Sequence, residues 1–382
     1  MTRKGPLAGM KVVEIAGLGP APMCAMLFAD LGATVIRIER KEAVDLGLKR
    51  PRKYDLLLRS RPAIALDLKT RAGVDLALKL IDKADALIEG FRPGVMERLG
   101  LSPDVCFERN PRLVYGRVTG WGQSGPLAQA AGHDLNYVAL TGAINAMGRK
   151  GEPPVIPLSM IGDFGGGALY LAFGVLAAIV EARQSGKGQV VDAAMIDGVT
   201  SLQTTFIGMH AAGMWRDERG TNATDSGSHF YQVYECADGL WISVAALEGR
   251  FHAELLRRVG VDPKEIGEQM DPATWPGAKE ILAARFRTKT RAEWCALLEG
   301  TDACFAPVMS WRDAPLHPHL RERKTFCDVE GVVQPAPAPR FSRSGEPRPT
   351  LPHDVTPEGT RAALSEWLAT DEIEALCAAG TV

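Results

Sequence analysis

Short apolar runs and amphipathic stretches alternate along the first half of the chain. Residues 12–15 predict a strand, 23–31 a helix and 34–38 a second strand. Residues 63–67 lead into a helical stretch at 72–81, and 84–88 lead through a Gly- and Pro-containing turn into another helix. Further strands are predicted at 113–118 and 189–194. Strands separated by helices predict an α/β domain with a parallel sheet and helices on both faces. An almost unbroken apolar run at 168–180 predicts a core helix, with Asp163 at or near its N-terminus. The run from 165 to 180 is shorter than the roughly 18 residues a membrane span needs. The pattern changes after residue 197. A long helix is predicted over 197–214, then a polar loop over 220–228. A hairpin pairs 230–236 with 240–245, and helices follow at 248–259, 275–287 and 291–298. These elements predict a smaller α+β domain. The segment 308–350 is rich in Pro and Arg and suits a linker, and 357–379 predicts two short helices.

The first strand–helix–strand unit carries Gly17-x-Gly19 and an acid, Glu39, after its second strand, nearly a dinucleotide fingerprint. The third fingerprint position is Pro22, which would block the close helix–strand approach that nicotinamide dinucleotides require. The Rossmann-like fold inference survives without that cofactor. Ligands of such sheets lie beyond the carboxyl ends of the strands. Arg40, Lys69 and Arg92 follow those ends, and Arg98 comes one helix further. They would suit a polyphosphate, or they are solvated surface charges, as most Lys and Arg are. The basic segment 49–61 reads as a loop over a phosphorylated ligand.

Composition narrows this further. The 382 residues are 46% hydrophobic and 24% charged, in keeping with a soluble globular enzyme of one large or two ordinary domains. A net charge of −2 gives no general attraction to nucleic acid or anionic membrane. Seven scattered cysteines without CxxC spacing point to reduced thiols in a cytoplasmic protein. The N-terminal residues show no leader core, and His317-Pro318-His319 lacks a third metal ligand and reads as loop.

Candidate chemistry centres on Asp163-Phe164-Gly165-Gly166-Gly167. Glycines let backbone N–H groups approach a ligand, and a helix N-terminus favours negative charge. Asp163 is therefore an acid or base beside prospective oxyanion donors, or only a helix cap. Asp163-Phe164-Gly165 is not a kinase motif, because the rest of that signature is absent.

Seven segments then carry a wider pattern, in order over nearly the whole chain. They are Ala29-Asp30-Leu31-Gly32-Ala33, Leu66-Asp67-Leu68-Lys69, Glu89-Gly90-Phe91-Arg92-Pro93-Gly94, Gly120-Trp121-Gly122-Gln123-Ser124-Gly125, Gly132-His133-Asp134-Leu135-Asn136-Tyr137, Gly186-Lys187-Gly188-Gln189 and Tyr234-Glu235-Cys236-Ala237-Asp238-Gly239. Together they resemble CoA-transferase family III, and within it the α-methylacyl-CoA racemase branch. The resemblance implies an interlocked homodimer. It implies a large CoA-binding domain over 1–200 and 330–382, a small α+β domain over 225–325, and linkers at 201–224 and 326–345. It makes His133 and Asp163 the two bases of a racemisation through an enolate, with Glu248 steadying His133. The CoA nucleotide end falls to Arg40, Leu66, Asp67, Leu68, Lys69, Gly90, Phe91, Arg92 and Arg98. The pantetheine and thioester end falls to Gly132, Asp134, Leu135, Asn136 and Tyr137. No metal and no cofactor is implied, since CoA belongs to the substrate, and the substrate class points to lipid metabolism. Two alternatives stay open: a CoA-transferase with Asp163 as nucleophile, and a non-catalytic CoA-ester binding protein. The racemase pattern reads Glu-Pro-Gln where this chain has Glu248-Gly249-Arg250. It reads Gly-Gly-Ala-Pro where this chain has Ser226-Gly227-Ser228-His229-Phe230. Both departures bear on the acyl group.

Overall fold

The computed structural model describes residues 4–42, 47, 49–345 and 347–382. The leader reading above rests partly on residues 1–3, which lie outside the described residues. The chain divides into two units. The first comprises 1–141, 157–202 and 324–382, and the second 142–156 and 203–323.

The first unit is built on a six-stranded sheet of β1 (Lys11–Ile15), β2 (Thr34–Glu39), β3 (Ala63–Ala65), β4 (Ala86–Glu89), β5 (Val114–Thr119) and β6 (Val190–Ala194). The order is β3-β2-β1-β4-β5-β6, and every pairing is parallel. The α/β expectation therefore holds, and the order reverses between β1 and β4, where such sheets open a crevice. The helices are α1 (Pro20–Asp30), α2 (Arg71–Ile81), α3 (Val95–Arg98), α4 (Pro103–Arg109), α5 (Asp134–Leu140), α7 (Tyr170–Ser185) and α8 (Met195–Leu202); α6 (Ala143–Ala146) belongs to the second unit.

Alternate strand residues face opposite sides, and both sides are buried. Val13, Ile36, Leu87 and Tyr115 pack with Leu76 and Leu80 of α2 and with Leu364 and Trp367 near the C-terminus. Val12, Val35, Ile88 and Val114 pack with Phe28 of α1 and with Leu171 and Val175 of α7. Burial on both faces is why these strands read as continuous apolar runs.

The helix that contains Asp163 begins earlier than its apolar run predicts. A π-helical segment, Met160–Leu169, continues directly into α7. Its glycines allow close backbone packing. A Cβ on Gly166 would lie 2.7 Å from the Val199 nitrogen, one on Gly198 would lie 1.9 Å from the Gly166 carbonyl, and one on Gly167 would lie 2.8 Å from Pro20 Cβ. Together the two stretches form a 26-residue helix, Met160–Ser185, long and apolar enough by length and composition to cross a membrane. Its inner residues Ala168, Leu171, Val175, Ala178 and Ile179 belong to the second core cluster.

The second unit holds an antiparallel sheet of β7 (Tyr231–Glu235), β8 (Trp241–Ala245) and β9 (Phe305–Pro307). With it come α9 (Thr204–Ala211), α10 (Gly249–Val259), α11 (Pro263–Ile266), α12 (Trp275–Phe286) and α13 (Arg291–Leu298). Its core gathers Tyr234, Ile242, Leu255, Phe286 and Trp294. The single helix expected over 197–214 is two helices, α8 and α9. The expected linker at 326–345 carries a strand pair in the first unit, β10 (Phe326–Val329) with β11 (Val332–Pro335).

Candidate active site

The crevice of the first unit lies where β1 runs through Gly17 and Gly19 into α1. Gly19 caps α1 with φ 64°, a left-handed conformation. A Cβ there would also sit 2.9 Å from Asp163 Oδ2. Both conformation and space therefore demand glycine, and the carboxylate of Asp163 lies against this turn. The Asp163 N–H donates to Asp134 Oδ1 at 2.6 Å. Gly162 makes room, because a Cβ on it would lie 2.2 Å from that oxygen. Burial pushes the Asp163 carboxyl up to about 6; the charge of Asp134 adds to the rise and His133 opposes it.

These contacts correct the oxyanion expectation. The Asp163 N–H is committed to Asp134, and the Phe164 N–H donates to the Ser159 carbonyl at 3.3 Å. The glycines that follow serve helix packing.

His133 is the N-cap of α5 and is exposed; its backbone N–H donates to Asn136 Oδ1 at 3.0 Å. Leu135 and Asn136 are exposed on the same turn. Tyr137 is 8% exposed and its hydroxyl donates to the Gly132 carbonyl, so it is not free for a ligand. Trp121 meets its ring edge-on at 4.7 Å. Gly120 and Gly132 are glycines because a Cβ on either would strike this ring, at 2.0 and 2.7 Å. Burial raises the Tyr137 hydroxyl, Asp163 raises it further, and Arg92 opposes.

The residues assigned to the nucleotide end follow the strand ends. Arg40 is exposed, with its guanidinium 5.5 Å from the centre of the Phe91 ring. Lys69, Gly90, Arg92 and Arg98 are exposed. Asp67 Oδ1 accepts the Lys69 N–H at 2.9 Å and so shapes its own turn. Leu66 is 1% exposed within the core and would offer a ligand backbone atoms only, while Leu68 is half-buried against that core.

Glu89, Glu97 and Arg117 set part of this geometry, and none of them was among the predicted site residues. Glu89, fully buried, accepts the Phe91 N–H at 2.7 Å and Arg117 Nε at 2.7 Å. Arg117 also bonds Glu97 at 2.8 Å. The loop Gly90–Arg92 is thus held from beneath by a buried ion pair. Glu39, the acid of the near-fingerprint, is held by Arg52 at 2.7 and 3.0 Å and by Arg37 at 3.1 Å. It is not free for a ribose. The basic segment also departs from expectation. Arg50 pairs with Asp55, Arg52 with Glu39, Arg59 with Asp30 and Arg61 with Glu14. Four of its arginines face the protein's own carboxylates.

Glu248 belongs to the second unit, exposed at the N-cap of α10, where its carbonyl accepts the His252 N–H at 3.0 Å. His252, one turn on, meets His229 Nε2 to Nε2 at 2.8 Å, and both rings are buried. His317 pairs with Glu299 at 2.7 Å. Among the described residues, no three His, Cys, Asp or Glu are arranged to hold a metal ion.

The chain is 42% identical over 339 residues to the α-methylacyl-CoA racemase of Mus musculus, covering 88% of this chain and 87% of that one. It is 40% identical over 336 residues to the α-methylacyl-CoA racemase of Homo sapiens, covering 87% and 86%. Its fold matches the crystal structure of a CaiB/BaiF family protein from Brucella suis with a TM-score of 0.81 at 24% identity, covering 96% of this chain and all of that one. The family description "CoA-transferase family III" matches residues 7–360. A parallel α/β unit carrying the matched segments, and a match over most of its length, establish that the chain belongs to CoA-transferase family III.

Proposed function

We propose that the protein is an isomerase that interconverts the epimers of a 2-methylacyl-CoA thioester by removing and returning the α-proton. The observation that carries this reading is Asp163. It is a partly buried carboxyl held near pH 6, within electrostatic reach of His133. Similarity to racemases of mouse and human at 42% and 40% identity supports it.

Removal of the α-proton leaves an enolate, and a group that titrates near neutrality is suited both to take that proton and to return it. One of Asp163 and His133 would act on each face. Glu248 would steady His133 in an interlocked homodimer, with the small domain of one protomer over the large domain of its partner. Arg40, Lys69, Arg92 and Arg98 would hold the nucleotide end. The step uses only these acid–base groups. The seven cysteines are free, in keeping with the cytoplasmic location we propose.

The transferase reading uses Asp163 as an anionic nucleophile and has no role for His133, whose presence within electrostatic reach favours proton transfer instead. The test is to incubate one epimer of a 2-methylacyl-CoA in D₂O and follow the α-proton by NMR. Loss of that signal with appearance of the other epimer is expected. No exchange by a folded protein that binds CoA, with transfer of CoA to free carboxylates, would replace this reading by the transferase one.

A further inference from the structure

Asp134 follows His133 directly and stands at the start of α5. The resemblance makes it a contact of the pantetheine end. Its surroundings say otherwise. The residue is 6% exposed, and its Oδ1 accepts the Asp163 N–H across 29 positions of sequence at 2.6 Å. The neighbouring position must be glycine for that carboxylate to fit, since a Cβ on Gly162 would lie 2.2 Å from Oδ1. The Asp163 carboxylate, by contrast, accepts no hydrogen bond among the described residues. It lies against the bare Cα of Gly19.

We propose that the side chain of Asp134 is a positioning group for Asp163 and not a contact of CoA: it pins the Asp163 backbone and sets a second carboxylate beside that of Asp163. This rests on the reading of Asp163 as an acid–base group. The physics is asymmetric. A carboxylate that accepts a backbone N–H is stabilised as the anion, whereas a neighbour without donors is destabilised by burial and by the first charge. The Asp134 charge beside it makes Asp163 hold its proton more tightly. Burial and then Asp134 are the two causes that raise Asp163. One residue thus links the two halves of the proton-transfer pair, since its backbone carries on from His133 and its side chain holds Asp163.

The test uses Asp134→Asn, which keeps a carbonyl acceptor for the Asp163 N–H and removes only the charge. The limb of the kcat/KM pH profile set by Asp163 is expected to move about one pH unit toward acid, with KM for the acyl-CoA unchanged. Asp134→Ala removes acceptor and charge together and is expected to lower kcat roughly 10²-fold. An unmoved profile with a raised KM or weakened binding of CoA itself would return Asp134 to the role of ligand. An unmoved profile with only a lowered melting temperature would make it structural; either result overturns the proposal.

If Asp134→Asn does not fold, Gly162→Ala displaces the same carboxylate, and its profile decides by the same criteria. Should the wild-type protein show no α-proton exchange, the functional reading fails by itself. Carboxyl ¹³C NMR of Asp163 in wild type and variant then still decides the present inference, since a lower titration midpoint without the Asp134 charge upholds it and an equal one overturns it.

Discussion

Each unit holds a pair of titratable side chains withdrawn from water, and the two pairs differ in one respect that matters. In the first unit Asp163 is partly buried beside Asp134, and its carboxyl is pushed up to about 6. In the second unit His229 and His252 are buried against each other at 2.8 Å, and burial pushes His229 down to about 4. The physical cause is the same, since removal from water disfavours whichever form is charged. The consequences diverge. Asp163 is brought toward neutrality next to an exposed histidine, where a proton can be exchanged with a ligand. The His229 ring is fully buried edge-on to Phe230, whose own ring meets Trp275, and the Tyr234 hydroxyl donates to the His229 carbonyl at 2.7 Å. After burial, His252 and then Lys279 of α12 add to the downward push on His229. A shifted pKa marks a reactive site only where a substrate can reach it.

The comparison can be broken most sharply at Asp163. Asp163→Asn should lower epimerisation by about 10³-fold or more, the usual contribution of a positioned acid–base group, as read by α-proton exchange. Full activity in that variant would remove Asp163 from the chemistry and leave both pairs merely structural. His133→Ala should cost racemisation by about 10²- to 10³-fold. A variant that lost racemisation but passed CoA between carboxylates at the wild-type rate would favour the transferase reading.

The histidine pair predicts the next effect, on stability. His229 has a folded value below its ordinary one. Its contribution is therefore intact above about pH 6.5 and is lost as pH falls through 6.5 toward 4. The loss approaches about 3 kcal/mol. Thermal unfolding followed by near-UV circular dichroism between pH 7 and pH 4 should show it. The double variant His229→Phe with His252→Phe should flatten that slope, whereas an unchanged slope would show that the pair does not titrate with folding.

The smallest effect has the opposite sign. Asp163 has a folded value above its ordinary one, so its stabilising contribution is complete below about pH 3.8 and disappears as pH rises through about 6. Asp163→Asn should therefore stabilise the protein at pH 8 by about 2 kcal/mol, after allowance for partial exposure, and by nothing at pH 3.5. Equal melting temperatures at pH 8 would mean that the site holds its carboxylate without strain.

The sequence determined a good deal unaided. Apolar periodicity is a local property, and it placed the six parallel strands, the hairpin of the second unit and most helices. The ordered motifs identified the family, because segment order and spacing survive where single residues vary. What the sequence could not decide is who meets whom across long separations. Arg52, Arg59 and Arg61 read as cations for a ligand, but their partners are Glu39, Asp30 and Glu14, 13 to 47 positions away in the chain. The glycines after Asp163 read as oxyanion donors, and only the neighbouring Val199, Gly198 and Pro20 show that they are there for close packing. The start of the helix at Met160 was hidden because a glycine-rich π turn has no apolar periodicity of its own. The contact of Asp134 with Asp163 is likewise invisible along the chain. Hydrophobic pattern fixes what each segment becomes. Charges and hydrogen-bonding groups take their roles from the neighbours that folding brings to them, and only the tertiary structure supplies those.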